Sequence, residues 1–318
     1  MIEVRHLRKQ FGSRIAVHDV SLRVAAGEKL VLLGPSGCGK TTFLRMLNRL
    51  VEPTAGQVLF NGVDTAAINP VSLRRQMGFV IQGAGLLPHR TVRENILSVP
   101  RLLGWSDEKC EDSLFVMKAI LWLFDDWFDA YPHELSSGQR QRVGLARAII
   151  VDPSVILMDE PFSALDPVTR VQIRREFRGL WTLHNKVVIM VTHDIGEAIE
   201  FADRIALMSP GRIEQVGSAA ELLFRPQSEF VQKFFDGARL QHEWQAARLG
   251  DLDLPLDQPA PDPDSRPTKL GLPVSFTVAE AMTAIGADRV RSIRLAEAFH
   301  HFKAALPASP APGGRRTE

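Results

Sequence analysis

The sequence predicts an α/β fold built around a parallel sheet, and three observations carry that prediction. An apolar run, Leu30-Val31-Leu32-Leu33, passes straight into Gly34-Pro35-Ser36-Gly37-Cys38-Gly39-Lys40-Thr41, which reads as a strand, a glycine-rich turn and the start of a helix reaching about Leu50. The runs Val155-Ile156-Leu157-Met158 and Val187 to Thr192 are continuously apolar, as strands covered on both faces must be.

Taken in order, residues 2–33 alternate as strands do, with turns at Gly12 and Ala26-Gly27. The glycine-rich turn is a phosphate-binding loop: its glycines let the backbone curl with amides facing inward, Lys40 can reach β and γ phosphates, and the Thr41 hydroxyl suits Mg²⁺. The helix behind it adds its positive N-terminal end. The candidate nucleotide-binding residues are Gly34, Pro35, Ser36, Gly37, Cys38, Gly39, Lys40, Thr41 and Thr42. Alone, this motif specifies a nucleoside triphosphate and nothing finer.

Residues Gly56 to Gly62 read as a strand entering a turn, and Met77 to Gln82 as a strand ending at a glutamine. Residues 83–134 read as mostly helical and gather Trp105, Trp122, Phe124, Trp127 and Phe128. Which of these aromatics are core, and which line a groove near Leu86-Leu87-Pro88-His89, stays open. Ser136 is a favourable N-cap for a helix from Gln139 to Ile150, and its hydroxyl and the neighbouring amides are expected to be free for an anion. Asp159 and Glu160 end one buried strand, and His193 ends another. From Asp251 to Pro273, Pro, Asp and Ser dominate as in an extended linker. A helical stretch from about Val278 to Phe302 follows, and 308–316 read as disordered.

With 318 residues and 45% apolar content, the chain can hold one large domain and a small appendage. A net charge of +1 offers no field that would gather nucleic acid or an anionic membrane. Arg140-Gln141-Arg142 and Arg174-Arg175 read as solvated helix faces. Cys38 and Cys110 occupy unrelated contexts, which argues against a disulfide framework and fits a cytoplasmic address. At a helix N-terminus the Cys38 thiol is open to modification that ATP would block. No window approaches 18 apolar residues, and Met1-Ile2-Glu3-Val4-Arg5 lacks the apolar core of a signal peptide. The chain is therefore not expected to span a membrane, and any pore would be a separate polypeptide.

Four more motifs stand in a telling order: Leu135-Ser136-Ser137-Gly138-Gln139, Val155 to Glu160, Ser163-Ala164-Leu165-Asp166, and Thr192-His193-Asp194. With the phosphate loop they make the chain resemble the ATPase subunit of an ABC transporter over about residues 1–236. The resemblance implies a P-loop NTPase cassette: a RecA-like α/β core, an antiparallel β subdomain and an inserted helical subdomain at about 83–150. A linker over 237–273 and a short, partly helical tail over 274–318 would follow.

The resemblance also implies roles. Phe11 would stack on adenine, and Asp159 would hold Mg²⁺ with Thr41 and Gln82. Catalysis would fall to Glu160, which polarises the attacking water, to His193 at the γ phosphate, and to Gln82. Ser136, Ser137, Gly138 and Gln139 would cover the γ phosphate held by the opposite subunit of a dimer, and Asp166 would communicate between the two sites. Ser137 departs from the common Leu-Ser-Gly-Gly-Gln, and its Cβ is expected to slow hydrolysis.

Within the family, Phe79 to Gln82, Gly85 to Ile96, Val99 to Trp105 and Ala164 to Arg170 resemble ATPase subunits of importers for osmoprotectants such as glycine betaine, choline and carnitine. That implies ATP and Mg²⁺ as cofactors and a homodimeric motor at the cytoplasmic face of the membrane. Its partners would be transmembrane permease subunits and, indirectly, an external solute-binding protein, with no nucleic acid. The tail is too short for the pair of CBS modules many such subunits carry; Thr277 to Met282 matches only the start of one, and deletion from about Asp251 is expected to leave transport intact. Three alternatives stay open: an importer for another small solute such as an amino acid, a soluble ATPase of the family, and a non-catalytic nucleotide sensor suggested by Ser137 and the tail. Against the soluble reading stands the lack of a long coiled coil or second cassette. Against the sensor stand Lys40, Asp159, Glu160 and His193.

Overall fold

In chain order the strands are β1 (Ile2–Phe11), β2 (Arg14–Val24), β3 (Lys29–Leu33), β4 (Ala55–Phe60), β5 (Val63–Asp64), β6 (Met77–Val80), β7 (Val155–Asp159), β8 (Val187–Thr192), β9 (Arg204–Ser209) and β10 (Arg212–Gly217). The helices are α1 (Lys40–Leu47), α2 (Pro70–Arg75), α3 (Val92–Ile96), α4 (Ser98–Leu102), α5 (Asp107–Leu121), α6 (Ser137–Ile149), α7 (Pro167–Arg178), α8 (Ile195–Phe201), α9 (Ala219–Phe224), α10 (Glu229–Phe235), α11 (Arg239–Ala246), α12 (Val278–Ile285) and α13 (Arg289–Ala305). This computed structural model describes residues 1–178, 180, 183, 185–252, 268, 272, 273, 275–285 and 289–305. It divides into two units, residues 1–197 with 208–213 and residues 198–207 with 214–318. Among the described residues no helix is long and apolar enough to cross a membrane.

The first unit contains an antiparallel sheet in the order β2-β1-β4-β5. On β1 Ile2 and Val4 turn inward by alternation, and a register shift at Arg5-His6, where His6 takes a φ of 49°, changes the phase so that Leu7 is buried as well. Behind it, β6, β7, β8 and β3 run parallel, with Met77 opposite Val155, Val155 opposite Val187 and Lys29 opposite Val188. Every residue of β7 and β8 is buried, which is why both read as unbroken apolar runs.

Helix α1 stops three residues short of the expected Leu50. Arg49 turns to a left-handed φ of 55° and sends its guanidinium to the carbonyls of Thr65 and Ile68, at 3.0 and 2.9 Å, which ends the helix. Between β6 and β7 lies the helical insertion, α3 to α6, with α6 packed on α3 and β6. Residues 85–91, expected in mostly helical chain, are a loop. The buried Asn95 amide pins it, donating to the carbonyls of Leu87, Arg90 and Thr91 and accepting from the Leu87 amide. The aromatics of this region divide: Phe128 is core, Trp105 and Trp127 are half-buried, and Trp122 and Phe124 are 62% and 59% exposed.

The second unit revises the expected tail. Residues 239–246, placed in a linker by the domain division that the resemblance implied, form α11, which packs against α9 and α12. The helical stretch expected over about 278–302 holds α12 and α13. What holds α11 in place includes groups far along the chain. Trp244 meets Phe299 edge-on at 6.5 Å, Phe224 meets Phe302 at 5.3 Å, and the buried Glu243 carboxylate accepts from Lys303. Backbone bonds from Leu249 to Phe276 and from Val278 to Ala247 close the cluster. Deletion from Asp251 would strip these partners away, so the tail is a packing element of this unit. Residues 253–267 of the expected linker and the expected disorder at 308–316 lie outside the described residues.

Candidate active site

The phosphate loop joins β3 to α1, and Gly39 is its hinge. Its φ is 111°, and a Cβ there would lie 2.2 Å from the Ala16 carbonyl oxygen, so only glycine lets the loop pass so close to β2. Lys40 is only 5% exposed; its ammonium donates to the carbonyls of Gly34 and Pro35 at 2.6 and 2.9 Å and lies 3.8 Å from Cys38 Sγ. The cation is thus held inside the loop by the loop's own carbonyls. Thr41 Oγ1 donates to Asp159 Oδ1 at 2.7 Å, while Arg45 stands 3.5 Å from the other oxygen of that nearly buried carboxylate.

An open cleft of about 450 Å³ lies over the loop, lined by Phe11, Arg14, Ser36, Gly37, Gly39, Lys40, Thr41, Thr42 and Glu160 together with Ala16. Phe11 is half exposed at its mouth, with the Lys9 ammonium 4.8 Å from the ring centre. Arg14 comes from the start of β2 and donates to the Gly37 carbonyl at 3.4 Å.

The parallel register sets Val80 beside Met158 and Asp159 beside Val191, so the segments after β6, β7 and β8 emerge together. There the Glu160 carboxylate accepts from Gln82 Nε2 at 3.2 Å and lies 3.2 Å from His193 Nδ1. The three predicted catalytic side chains therefore meet at one carboxylate. Glu160 has a left-handed φ of 46°, a costly conformation for a residue with a Cβ. It is held by its own amide on the Val191 carbonyl at 3.0 Å and by the Ser163 hydroxyl on its carbonyl at 3.0 Å.

Ser136 to Gln139 do not line this cleft. Ser136 caps α6, as expected, but the cap uses the groups expected to be free: Ser136 Oγ accepts from the Gln139 amide at 3.2 Å, and the Ser136 amide donates to Gln139 Oε1 at 2.7 Å. The hydroxyl proton of Ser136 and the first-turn amides of Ser137 and Gly138 remain for an outside anion. A Cβ on buried Gly138 would sit 2.9 Å from Thr169 Cγ2, so the bare Cα there serves the packing of α6 on α7 within the chain. Asp166 caps α7 through the Thr169 amide at 3.0 Å.

Three further residues join the site that sequence reading missed. Arg14 lies three positions past Phe11 on the same hairpin, which was its available signal. Arg147 on α6 donates to the carbonyls of Ala84 and Gly85, each at 2.9 Å, and so grips the loop that follows Gln82; burial pulls its guanidinium below the ordinary arginine value. Glu197, 2% exposed, accepts from the Thr192 hydroxyl at 2.6 Å beside His193. Burial pushes its carboxyl up, against the Thr192 hydrogen bond and the charges of Arg174 and Arg170, with Asp194 adding to the rise.

The ABC transporter family model matches residues 17–163. The chain is 46% identical over 241 residues to the carnitine transport ATP-binding protein OpuCA of Listeria monocytogenes, covering 76% of this chain and 61% of that protein. It is 44% identical over 240 residues to the glycine betaine uptake system ATP-binding protein YehX of Escherichia coli, covering 76% and 78%. The dimeric structure of a post-hydrolysis state of the ATP-binding cassette MJ0796, bound to ADP and Pi, matches at 31% identity with a TM-score of 0.62 over 69% of this chain and 98% of that one. The chain thus spans less than two thirds of the length of the Listeria relative.

Proposed function

We propose, from the premise that this chain belongs to the ABC transporter ATP-binding family, that it is the ATP-hydrolysing motor subunit of an importer for osmoprotectants of the quaternary-amine class. The observation that carries the enzymatic part is the meeting of Gln82, Glu160 and His193 at the rim of the phosphate loop. ATP would lie in the cleft, its adenine on Phe11, its phosphates on the amides of residues 36–42, with Lys40 exchanging loop carbonyls for phosphate oxygens. Glu160 would take the proton of the attacking water, with Gln82 orienting that water and His193 donating to the γ phosphate.

Thr41, Asp159 and Gln82 would hold Mg²⁺. Thr41 Oγ1 and Asp159 Oδ1 stand 2.7 Å apart and are hard oxygen donors of the kind that ion selects. When bound, it neutralises charge on the phosphates.

Two copies would close on two nucleotides, each site completed by Ser136 to Gln139 of the other chain, and closure would move the permease. The solute assignment is supported by relatives named for carnitine and glycine betaine. The motor would sit at the cytoplasmic face of the membrane on its permease. Tagged Glu160→Gln chain, trapped with ATP in its host, tests the whole reading. A quaternary-amine permease that co-purifies supports it, another permease overturns the solute, and no membrane partner overturns the transport role.

A further inference from the structure

Glu160 and His193 are joined along two routes in the first unit. The direct one is the 3.2 Å approach of His193 Nδ1 to the Glu160 carboxylate. The second runs through the backbone. The Glu160 carbonyl accepts from the amide and hydroxyl of Ser163, at 3.3 and 3.0 Å, and the Leu165 amide donates to the Phe162 carbonyl at 3.2 Å. These bonds make residues 160–165 one tight turn. The Leu165 carbonyl then accepts from Arg170 Nη2 at 2.9 Å, and Arg170 Nη1 stands 3.9 Å from Asp194 Oδ2.

Asp194 is itself locked to the end of β8. Its amide donates to Thr192 Oγ1 at 3.0 Å, its carboxylate accepts from the Glu197 amide at 2.8 Å, and Thr192 Oγ1 donates to Glu197 at 2.6 Å. His193 sits between the two clamped residues. Arg170 thus spans from the turn after Glu160 to the ring around His193. Its Nε is buried without a hydrogen-bond partner, so the guanidinium is held in place by its two outer nitrogens at some cost.

We propose that Arg170 is a positioning residue for the reaction, which ties the turn Ser163 to Asp166 to Asp194 and so makes the placement of His193 against Glu160 depend on that turn. The inference rests on the ATPase reading above. Arginine suits the role because its planar fork presents separate nitrogens in a fixed geometry to a carbonyl and a carboxylate, whereas a lysine brings one compact ammonium on a flexible stem.

The test uses the full chain with Arg170→Ala, Arg170→Lys, Asp194→Asn and the double variant Arg170→Ala/Asp194→Asn. Each is checked for unchanged melting and assayed for kcat and KM with ATP. Arg170→Ala and Asp194→Asn are each expected to lower kcat by about tenfold, the scale reached by coupled neighbours, with KM within about twofold. The double variant should be no slower than either single one, and Arg170→Lys should recover only part. A full kcat in Arg170→Ala, multiplicative losses in the double variant, or kcat and KM changing together would overturn the proposal. A readout without turnover separates it from the ATPase reading: the His193 imidazole resonance, assigned by its loss in His193→Ala, should move alike in Arg170→Ala and Asp194→Asn. If the parent chain hydrolyses no ATP, the ATPase reading fails, and a resonance unmoved in both variants still overturns the role of Arg170.

Discussion

In the first unit the side chains that meet at Glu160 come from the ends of neighbouring parallel strands, so their meeting is dictated by register; in the second, contacts such as the Trp244–Phe299 ring pair and the Glu243–Lys303 ion pair join α11 to α13 across long stretches of sequence. The strand-end site tolerates a strained residue at its centre, because the strands behind it are fully buried and amide bonds on both sides of Glu160 hold it. In the helical cluster the rings pack on one another, so each contributes to holding the others. Loss of a reacting group should therefore silence the first unit without loosening it, while loss of a ring should loosen the second without silencing the first.

The largest expected effect is that of Glu160→Gln, which should lower ATP turnover by about 10³-fold, the upper range for one acid-base group, with little change in melting. Phosphate release with the variant at more than a tenth of the parent rate would move the base elsewhere. On the other side, Phe299→Ala should cost about 3 kcal/mol in the second unit, since the buried ring packs on both Trp244 and Phe302. Chemical denaturation followed by Trp244 fluorescence would read it. Turnover per folded molecule should hold, and a proportional loss would mean that the two units do not divide the labour as described.

Smaller effects sharpen the contrast. Ser137→Gly should raise turnover, by removing a Cβ from the first residue of α6, while costing about 0.5 kcal/mol of stability; an unchanged rate would mean that Ser137 leaves the opposite site undisturbed. The smallest effect concerns Glu197. Because burial raises its carboxyl above the ordinary value, the native chain keeps that proton over a pH window in which the unfolded chain has lost it. Stability should therefore fall as pH climbs through this window, and Glu197→Gln, which mimics the neutral form, should flatten the decline. Parallel denaturation curves for parent and variant across weakly acidic pH would show that another group sets the slope.

Much of the site was legible beforehand because its chemistry is written in contiguous residues. A glycine-rich turn after an apolar strand, two carboxylates after another and a histidine after a third each announce a strand end, and a parallel sheet brings such ends together. Arg147 and Glu197 were not legible, because a helical arginine and a helical glutamate look alike whether they face water or grip a loop carbonyl or a threonine hydroxyl. The Ser136 cap was read correctly as a cap, while the reciprocal bond from Gln139, which the Ser-x-x-Gln spacing signals, was missed. At α11 the domain boundary drawn at 237 extended the linker over a helix, although the proline-rich composition begins only at Asp251.

By itself the sequence determined the parallel core, the phosphate loop and the residues that stand at the strand ends, because strand burial and backbone curl depend on residues adjacent in the chain. Only the tertiary structure decided that Lys40 is held by its own loop, that Glu160 is strained, that Arg170 bridges two motifs, and that residues 239–246 are packed helix rather than linker. Each of those depends on which distant groups arrive within hydrogen-bond or van der Waals reach, and such short-range forces are decided by folding rather than by neighbours in sequence.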